Sequence, residues 1–413
     1  MRTVTAIDIG ANKIVVLIGE VDDYGDIHII GVGETQSRGV DKGSITRLEL
    51  ASRAIANAVR EAEEMSGQKS TSPIINISGQ TVRSQNERDT INISPSPVEV
   101  EKEHVDRLLE RSITKGKEDG MDIVHAIPWK YILDDQEGIE DPIGLIGSKL
   151  SAQVHLIKVG TTVSRNVVKA VSTAGLNPNM KVVNAIASAR AVLNEEEKEE
   201  GVLLVDMGAS LTDFILYLEG HPVVTGSVTL AGNVITKDIN QYMKVDYDSA
   251  EKLKKEAGVA LVELVKEGEV VKIKPRGEER EISIEKTKLA EVIQIRLEEI
   301  MEKVMEEIKK AGYSIDNANA GIVVTGGSAN LKGIKEFMER FTDLPARVGI
   351  PTGLTGLKER IEDPKYATAV GLLRFGVQPE GLPMGVSKPV TTNNGKGFKS
   401  IFEKLKDWIK DII

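Results

Sequence analysis

Cysteine is absent from all 413 residues, which removes disulfides, thiolate metal sites and cysteine nucleophiles and fits a reducing compartment. Aromatic residues are sparse at 4%. The five histidines (His28, His104, His125, His155, His221) never fall at metal-ligand spacing, so no metal is assigned to histidine. No stretch approaches the roughly 18 consecutive apolar residues that would span a bilayer. The first apolar run, Val4 to Ile7, is closed by Asp8, unlike the unbroken core of a cleaved signal peptide. Positive charge is in deficit, 53 Lys+Arg against 63 Asp+Glu. A formal net charge of −10 leaves no concentrated basic surface for a nucleic-acid partner. The expectation is a soluble body, 40% apolar and too long for one core, hence two or more packed lobes.

Val4 to Ile7 and Ile14 to Ile18 are β-branched runs on either side of Asp8-Ile9-Gly10-Ala11-Asn12-Lys13, a pattern that reads as a hairpin with a glycine turn. Ile27 to Val32 extends the meander. Leu48 to Met65 carries apolar residues at helical spacing, and Ile74 to Ser78 is again a strand. Between Val82 and Gly160 the pattern changes to a self-contained α+β unit, which reads as an insertion. Strands are expected there at Thr90 to Ile93, near Ile123 to Ile127, at Tyr131 to Leu133 and at Ala152 to Val159, with a helix carrying Val105, Leu108, Leu109 and Ile113. Beyond the acidic run Glu195 to Glu200 the opening unit recurs. Val202-Leu203-Leu204-Val205-Asp206-Met207-Gly208-Ala209 repeats the apolar-Asp-x-Gly-Ala order of Thr5-Ala6-Ile7-Asp8-Ile9-Gly10-Ala11, and Phe214 to Leu218 supplies the returning strand. Two copies of one unit imply two related lobes, with a generic strand-turn-strand as the plainer alternative.

Leu289 to Ile308 reads as a long amphipathic helix closed by Gly312, and Ile322 to Ser328 as a strand running into a glycine turn. Leu331 to Phe341 reads as a helix, and Tyr366 to Phe375 as a second one whose Ala367, Ala369 and Gly371 permit close packing. From Val377 to Gly397 the prolines Pro379, Pro383 and Pro389 among Gly, Ser, Thr and Asn predict a flexible tether. The last residues form an amphipathic helix whose apolar members Phe398, Ile401, Phe402, Leu405, Trp408, Ile409, Ile412 and Ile413 share an arc of about 140°. This suits a lipid interface; docking on the chain's own body or in a partner groove is the alternative.

A carboxylate at the end of a buried strand, followed by a glycine turn, places backbone N–H groups around an anion while the acid holds a hydrated Mg²⁺. Asp8 and Asp206 occupy such positions, and Thr325-Gly326-Gly327-Ser328 could let a purine and ribose approach bare backbone. In order, Asp8-Ile9-Gly10, Asp206-Met207-Gly208, Thr325-Gly326-Gly327 and the Tyr366 to Gly371 helix resemble the first phosphate, second phosphate, adenosine and second connecting motifs of the actin/Hsp70/sugar-kinase ATPase superfamily. Within it the chain resembles the bacterial cell-division FtsA family through Ser37-Arg38-Gly39-Val40-Asp41-Lys42-Gly43, Asp135-Gln136-Glu137-Gly138-Ile139, Val154-His155-Leu156-Ile157, Ala231-Gly232-Asn233-Val234-Ile235-Thr236 and Ala367-Thr368-Ala369-Val370-Gly371-Leu372-Leu373.

The resemblance implies an α/β, actin-like two-lobed fold with duplicated ribonuclease H-like lobes and an inserted α+β subdomain in place of an actin subdomain. Subdomain 1A would cover 1–82 and 159–190, with a closing helix at 359–376. The insert 1C would cover 83–158, subdomain 2A 191–225 and 316–358, and subdomain 2B 226–315, followed by a linker at 377–397 and a membrane-targeting helix at 398–413. It implies ATP between the lobes, bordered by Gly10, Ala11, Asn12 and Lys13, by Gly208, Ala209 and Ser210, by Gly232 and Asn233, and by Gly326, Gly327 and Ser328. Asp8 and Asp206 would lie near Mg²⁺, through water. Glu251 and Lys254 match a Glu-x-x-Lys helix that contacts purine and ribose, although a solvated charged face is an equal reading. Arg296 matches a basic position that receives the FtsZ tail, against the commoner solvated helix face. The family's members polymerise, attach to the cytoplasmic face of the cell membrane at the division site, bind FtsZ and recruit other division proteins.

One departure stands out. Asp206-Met207-Gly208-Ala209-Ser210-Leu211 replaces the superfamily's common Asp-x-Gly-Gly-Gly-Thr; Ala and Ser tolerate positive φ poorly and add side chains beside phosphate, so slow hydrolysis or none is expected. Alternatives are a superfamily kinase or phosphatase, which needs a general base and has no use for a tethered tail, and a pilus-assembly adaptor of the PilM type.

Overall fold

The computed structural model describes residues 2–377 and the two-residue strand Leu382–Pro383. The tail helix expected at 398–413 lies outside the described residues, as does most of the expected linker. Along the chain, β1 (Arg2–Ile9), β2 (Lys13–Val21) and β3 (Ile27–Gln36) form the antiparallel meander. Helix α1 (Leu48–Ser66) buries Ala51, Ala54, Ile55, Ala58, Val59 and Ala62 and ends at Gly67, which takes the left-handed conformation of a helix C-cap. Strand β4 (Ile74–Ile77) then pairs parallel with β1.

The insert follows: β5 (Arg83–Asn92), α2 (Lys102–Lys115), β6 (Met121–Leu133), β7 (Gln136–Ile139) and β8 (Lys149–Gly160). Its core is its own, with Ile91, Leu108, Val154 and Leu156 among the members. The two strands expected within 123–133 are one continuous strand. Lys130 takes a positive φ of 49°, and the β6–β8 register shifts at Ala152/Gln153, so a bulge breaks the alternation without ending the strand.

The chain returns to the first lobe through α3 (Thr161–Thr173), β9 (Met180–Val183) and α4 (Asn184–Val192). The first sheet therefore runs β9-β4-β1-β2-β3, extended at the β3 edge by the short strand Thr355–Gly356. The second lobe contains β10 (Val202–Met207), β11 (Thr212–Leu218), β12 (His221–Val228), α5 (Gly232–Tyr242), α6 (Tyr247–Ala257), α7 (Lys286–Lys310), β13 (Gly321–Thr325), α8 (Ile334–Thr342) and β14 (Ala346–Val348). Its strands run β14-β13-β10-β11-β12, with β10/β13 and β13/β14 parallel and the meander antiparallel. Two sheets with the same strand order and the same parallel and antiparallel pairs establish the duplication read from the two hairpins. The helix expected from Leu331 starts only at Ile334, because Gly333 is left-handed.

Helices α4 and α9 (Ala367–Phe375) bury almost every residue and join the core that holds residues of both sheets, among them Ala6, Ile7, Val202 and Leu204. Gly371 is what lets them touch: a Cβ there would stand 1.7 Å from the Ala187 carbonyl oxygen. The other face of the second sheet packs on the stripe Leu289, Ile293, Leu297, Ile300 and Val304 of α7. The insert is pinned to both lobes. His155 shares hydrogen bonds with Asn86 (2.6 Å) and Thr225 (2.9 Å), while Val183 N–H of β9 donates to His125 Nε2 at 3.0 Å. Burial pushes both imidazoles down to about 3, so they serve as neutral joints.

Candidate functional site

The two hairpin tips have one geometry. Gly10 N–H donates to the Lys13 carbonyl at 3.0 Å, and Gly208 N–H donates to the Leu211 carbonyl at 3.0 Å. Neither glycine is required by φ, since both lie outside the positive-φ set. A Cβ would stand 2.9 Å from the Lys13 oxygen at Gly10 and 3.1 Å from the Leu211 oxygen at Gly208, so it is close approach that selects glycine. This corrects the expectation drawn from Ala209 and Ser210: they too lie outside the positive-φ set, so no backbone strain attaches to them.

The loop Ser37 to Gly43 bridges the two tips. Ser37 N–H donates to the Asn12 carbonyl at 2.9 Å, and Lys42 N–H donates to Ser210 Oγ at 3.0 Å. The third turn closes on the second tip. Gly326, at φ 83°, has no room for a Cβ, which would stand 2.4 Å from Asp206 Oδ1. Ser328 Oγ donates to the Gly208 carbonyl at 3.2 Å, and Gly232 N–H donates to the same carbonyl at 3.1 Å. Asn233 N–H donates to the Ala209 carbonyl at 2.7 Å. Lys254 Nζ reaches the Gly232 carbonyl at 3.0 Å and Thr236 Oγ1 at 2.7 Å and pairs with Glu251 at 2.7 Å. Burial works against the charge of Glu251, but Lys254 beside it holds its carboxyl down at about 2. The Glu251–Lys254 pair therefore belongs to the wall of this turn, and its solvated-face reading fails.

Polar side chains join the lobes behind the tips. Asn76 Oδ1 accepts from Ile9 N–H at 2.7 Å, and its Nδ2 donates to Asp8 Oδ1 at 2.9 Å and to Asn184 Oδ1 at 3.0 Å. Asn184 Nδ2 passes the chain on to Asp213 Oδ2 at 3.1 Å, and Ser78 Oγ donates to Asp213 Oδ1 at 2.6 Å. Asp206 Oδ2 accepts from the hydroxyls of Ser188 and Thr368 on α4 and α9. All three aspartates are buried. Burial raises Asp8 to about 7, with Asp206, Asp213 and Glu34 adding repulsion and Lys13 opposing it. Burial, then Asp206, raises Asp213 to about 7; burial also raises Asp206, against the two hydroxyls. Lys13 Nζ is buried with no hydrogen-bond partner among the described residues, 3.6 Å from Glu34 and 3.8 Å from the centroid of the Tyr366 ring.

The structure thus brings together Asp8, Gly10, Lys13, Asp206, Gly208, Gly232, Glu251, Lys254, Gly326 and Ser328, with Ala11, Asn12, Ala209, Ser210, Asn233 and Gly327 in the same turns. Arg296 is elsewhere, on α7, paired with Asp238 at 2.5 Å and also with Glu299. Sequence reasoning missed Asp213, Asn76 and Asn184. The available signal was a lone polar residue inside an apolar strand, as in Ile74-Ile75-Asn76-Ile77, and the cross-strand pairing of Asp206 with Asp213.

A family model described as cell division protein FtsA matches residues 203–371, and one described as an SHS2 domain inserted in FtsA matches residues 79–158. The cell division protein FtsA of Neisseria meningitidis serogroup B is 35% identical over 411 residues, 99% of this chain and 98% of that protein. The chain belongs to the FtsA family. Among solved structures, a chain of a PilM–PilN type IV pilus biogenesis complex superposes with a TM-score of 0.65 at 16% identity, covering 91% of this chain and 99% of that one. Spiroplasma citri MreB5 bound to ADP gives 0.54 at 14% identity, covering 91% and 96%. FtsA membership gives the chain a cell-division, actin-like role; the solved neighbours show the actin-like fold, and the SHS2 family model shows the insert.

Proposed function

We propose that this FtsA-family chain binds ATP with Mg²⁺ between its lobes and polymerises on the cytoplasmic face of the membrane at the division site. There it tethers FtsZ filaments through their C-terminal tails and recruits later division proteins. The observation that carries this reading is the pair of hairpin tips with matching hydrogen bonds, one per lobe, each with a buried aspartate two residues before a closely packed glycine. Buried carboxylates raised toward neutrality stand beside a Lys13 ammonium that has a 3.6 Å ion pair with Glu34 but no hydrogen bond among the described residues, which suits the site to an incoming polar ligand. The residues fit the ion. Asp8 and Asp206 are buried oxygen donors at the two tips, the hard-ligand chemistry that would hold a hydrated Mg²⁺ through water. Bound there, Mg²⁺ would neutralise phosphate charge; the tip residues after the glycines, Ala11 and Asn12 and Ala209 and Ser210, would supply backbone N–H donors, and the Gly326 turn with Glu251 and Lys254 would take the nucleoside.

Nucleotide serves as a structural and polymerisation ligand with slow turnover or none, since Ala209 and Ser210 put side chains where relatives have glycine. A turnover near the roughly 10 per second of a typical enzyme would contradict this. Attachment is assigned to the 398–413 segment because its apolar residues, Trp408 among them, share one helical arc. The FtsZ tail is assigned to the α7 face, where Arg296 would exchange its bonds to Asp238 and Glu299 for the incoming peptide. Electron microscopy on lipid monolayers tests the assembly: filaments are expected with Mg·ATP, and bare monolayers would refute them. Pull-down with an FtsZ C-terminal peptide separates this reading from a pilus adaptor or a kinase.

A further inference from the structure

A second ammonium stands beside Lys13. Lys365 Nζ lies 4.9 Å from the centroid of the Tyr366 ring, the ring that carries Lys13 Nζ at 3.8 Å. Tyr366 Oη donates to Glu34 Oε2 at 2.7 Å, the carboxylate that faces Lys13 at 3.6 Å. Two lysines thus share one ring, and a lysine and a phenol share one carboxylate. Burial lowers the Lys13 pKa, and Lys365 lowers it further by repulsion, against Glu34 and Asp8.

The position of Lys365 is built. It sits in the 3-10 turn Pro364–Tyr366, whose Pro364 carbonyl accepts from Gly326 N–H at 3.2 Å. Asp363, just before that turn, accepts from Asn330 Nδ2 at 2.8 Å. The Lys365 Cβ lies 4.0 Å from where a Cβ on Gly327 would stand. The side chain therefore stands between the third glycine turn, through Gly327, and the first hairpin tip, through the ring it shares with Lys13.

We infer that Lys365 is a phosphate-binding residue and that Lys13, Lys365, Tyr366 and Glu34 form a clasp that responds to polyphosphate charge. The ring and Glu34 hold the Lys13 ammonium by contacts too long to be hydrogen bonds, so little opposes its transfer to phosphate oxygens. Two compact ammonium charges side by side suit a polyphosphate, whose several negative oxygens can take both at once. This inference rests on the nucleotide reading of the cleft and extends it.

Equilibrium dialysis of the full chain with ATP, adenosine and inorganic tripolyphosphate, each with Mg²⁺, tests it. Lys365→Gln should weaken ATP and tripolyphosphate about tenfold, the loss of one charge-assisted contact, with no matching loss for adenosine. Lys365→Arg, which keeps the charge, should stay within about threefold of the parent. Parent-like binding of ATP and tripolyphosphate by Lys365→Gln overturns the clasp, as does an equal loss for all three ligands. If the parent binds tripolyphosphate in a Lys365-dependent way but neither ATP nor adenosine, the clasp stands and the adenine reading falls. A parent that binds none of the three overturns both.

Discussion

Buried polar residues carry the chemistry of this chain, and their protonation should report ligand binding. Burial raises Asp8 to about 7, whereas a carboxylate beside Mg²⁺ must be ionised. At pH 6 uptake of Mg·ATP should therefore expel a proton from Asp8, and affinity should rise with pH until Asp8 is ionised in the free protein. Calorimetry at pH 6 in buffers of different ionisation enthalpy should give different apparent heats, and at pH 8.5 the same heat; buffer-independent heats at pH 6 would remove the acid cluster from the account. At this scale the sequence was half legible. Asp8 and Asp206 stand out because glycine follows each at a fixed spacing, a local signal. Asn76, Asn184 and Asp213 act through partners 29 to 135 positions away, and no local pattern encodes such a pairing.

Elements were easier to read, because strands and helices announce themselves by period. The hairpins, α1 and α7 follow directly from alternation and from apolar stripes. Failures came where glycine or a bulge intervened: Lys130 splits one strand into two apparent ones, and Gly333 delays α8. The small-residue pattern of α9 indicated close packing, and the structure supplies its partner, α4. Gly371→Ala should cost about 3 kcal/mol, since the new methyl meets backbone that cannot move aside. Urea unfolding measures it; a loss below about 0.5 kcal/mol would mean that the α4–α9 contact yields. Because these helices also hold Asp206 through Ser188 and Thr368, the same variant should bind ATP more weakly.

For the whole molecule, the duplicated lobes were legible because each copy keeps its own hairpin, and the insert because its pattern differs from both flanks. The continuity of the insert's sheet with the second lobe was not legible. It rests on the strand pairing of Arg83 with Gly226, on the His155–Thr225 hydrogen bond and on hydrogen bonds that Thr225 N–H donates to Ser84 Oγ and Asn86 Nδ2 donates to the Val223 carbonyl, all long-range. The proposed membrane attachment belongs at this scale too, where a single weak tail would gain by avidity along a filament. Trp408→Glu should reduce liposome co-sedimentation at least fivefold; undiminished binding would exclude the tail as anchor. The central claim is that two lobes close on one triphosphate, and the most direct measurement is equilibrium dialysis of the full chain against labelled ATP with Mg²⁺. One nucleotide retained per chain, with retention lost in Asp206→Ala, is the predicted result. A chain that retains no ATP, or one whose retention is indifferent to Asp206, would contradict it.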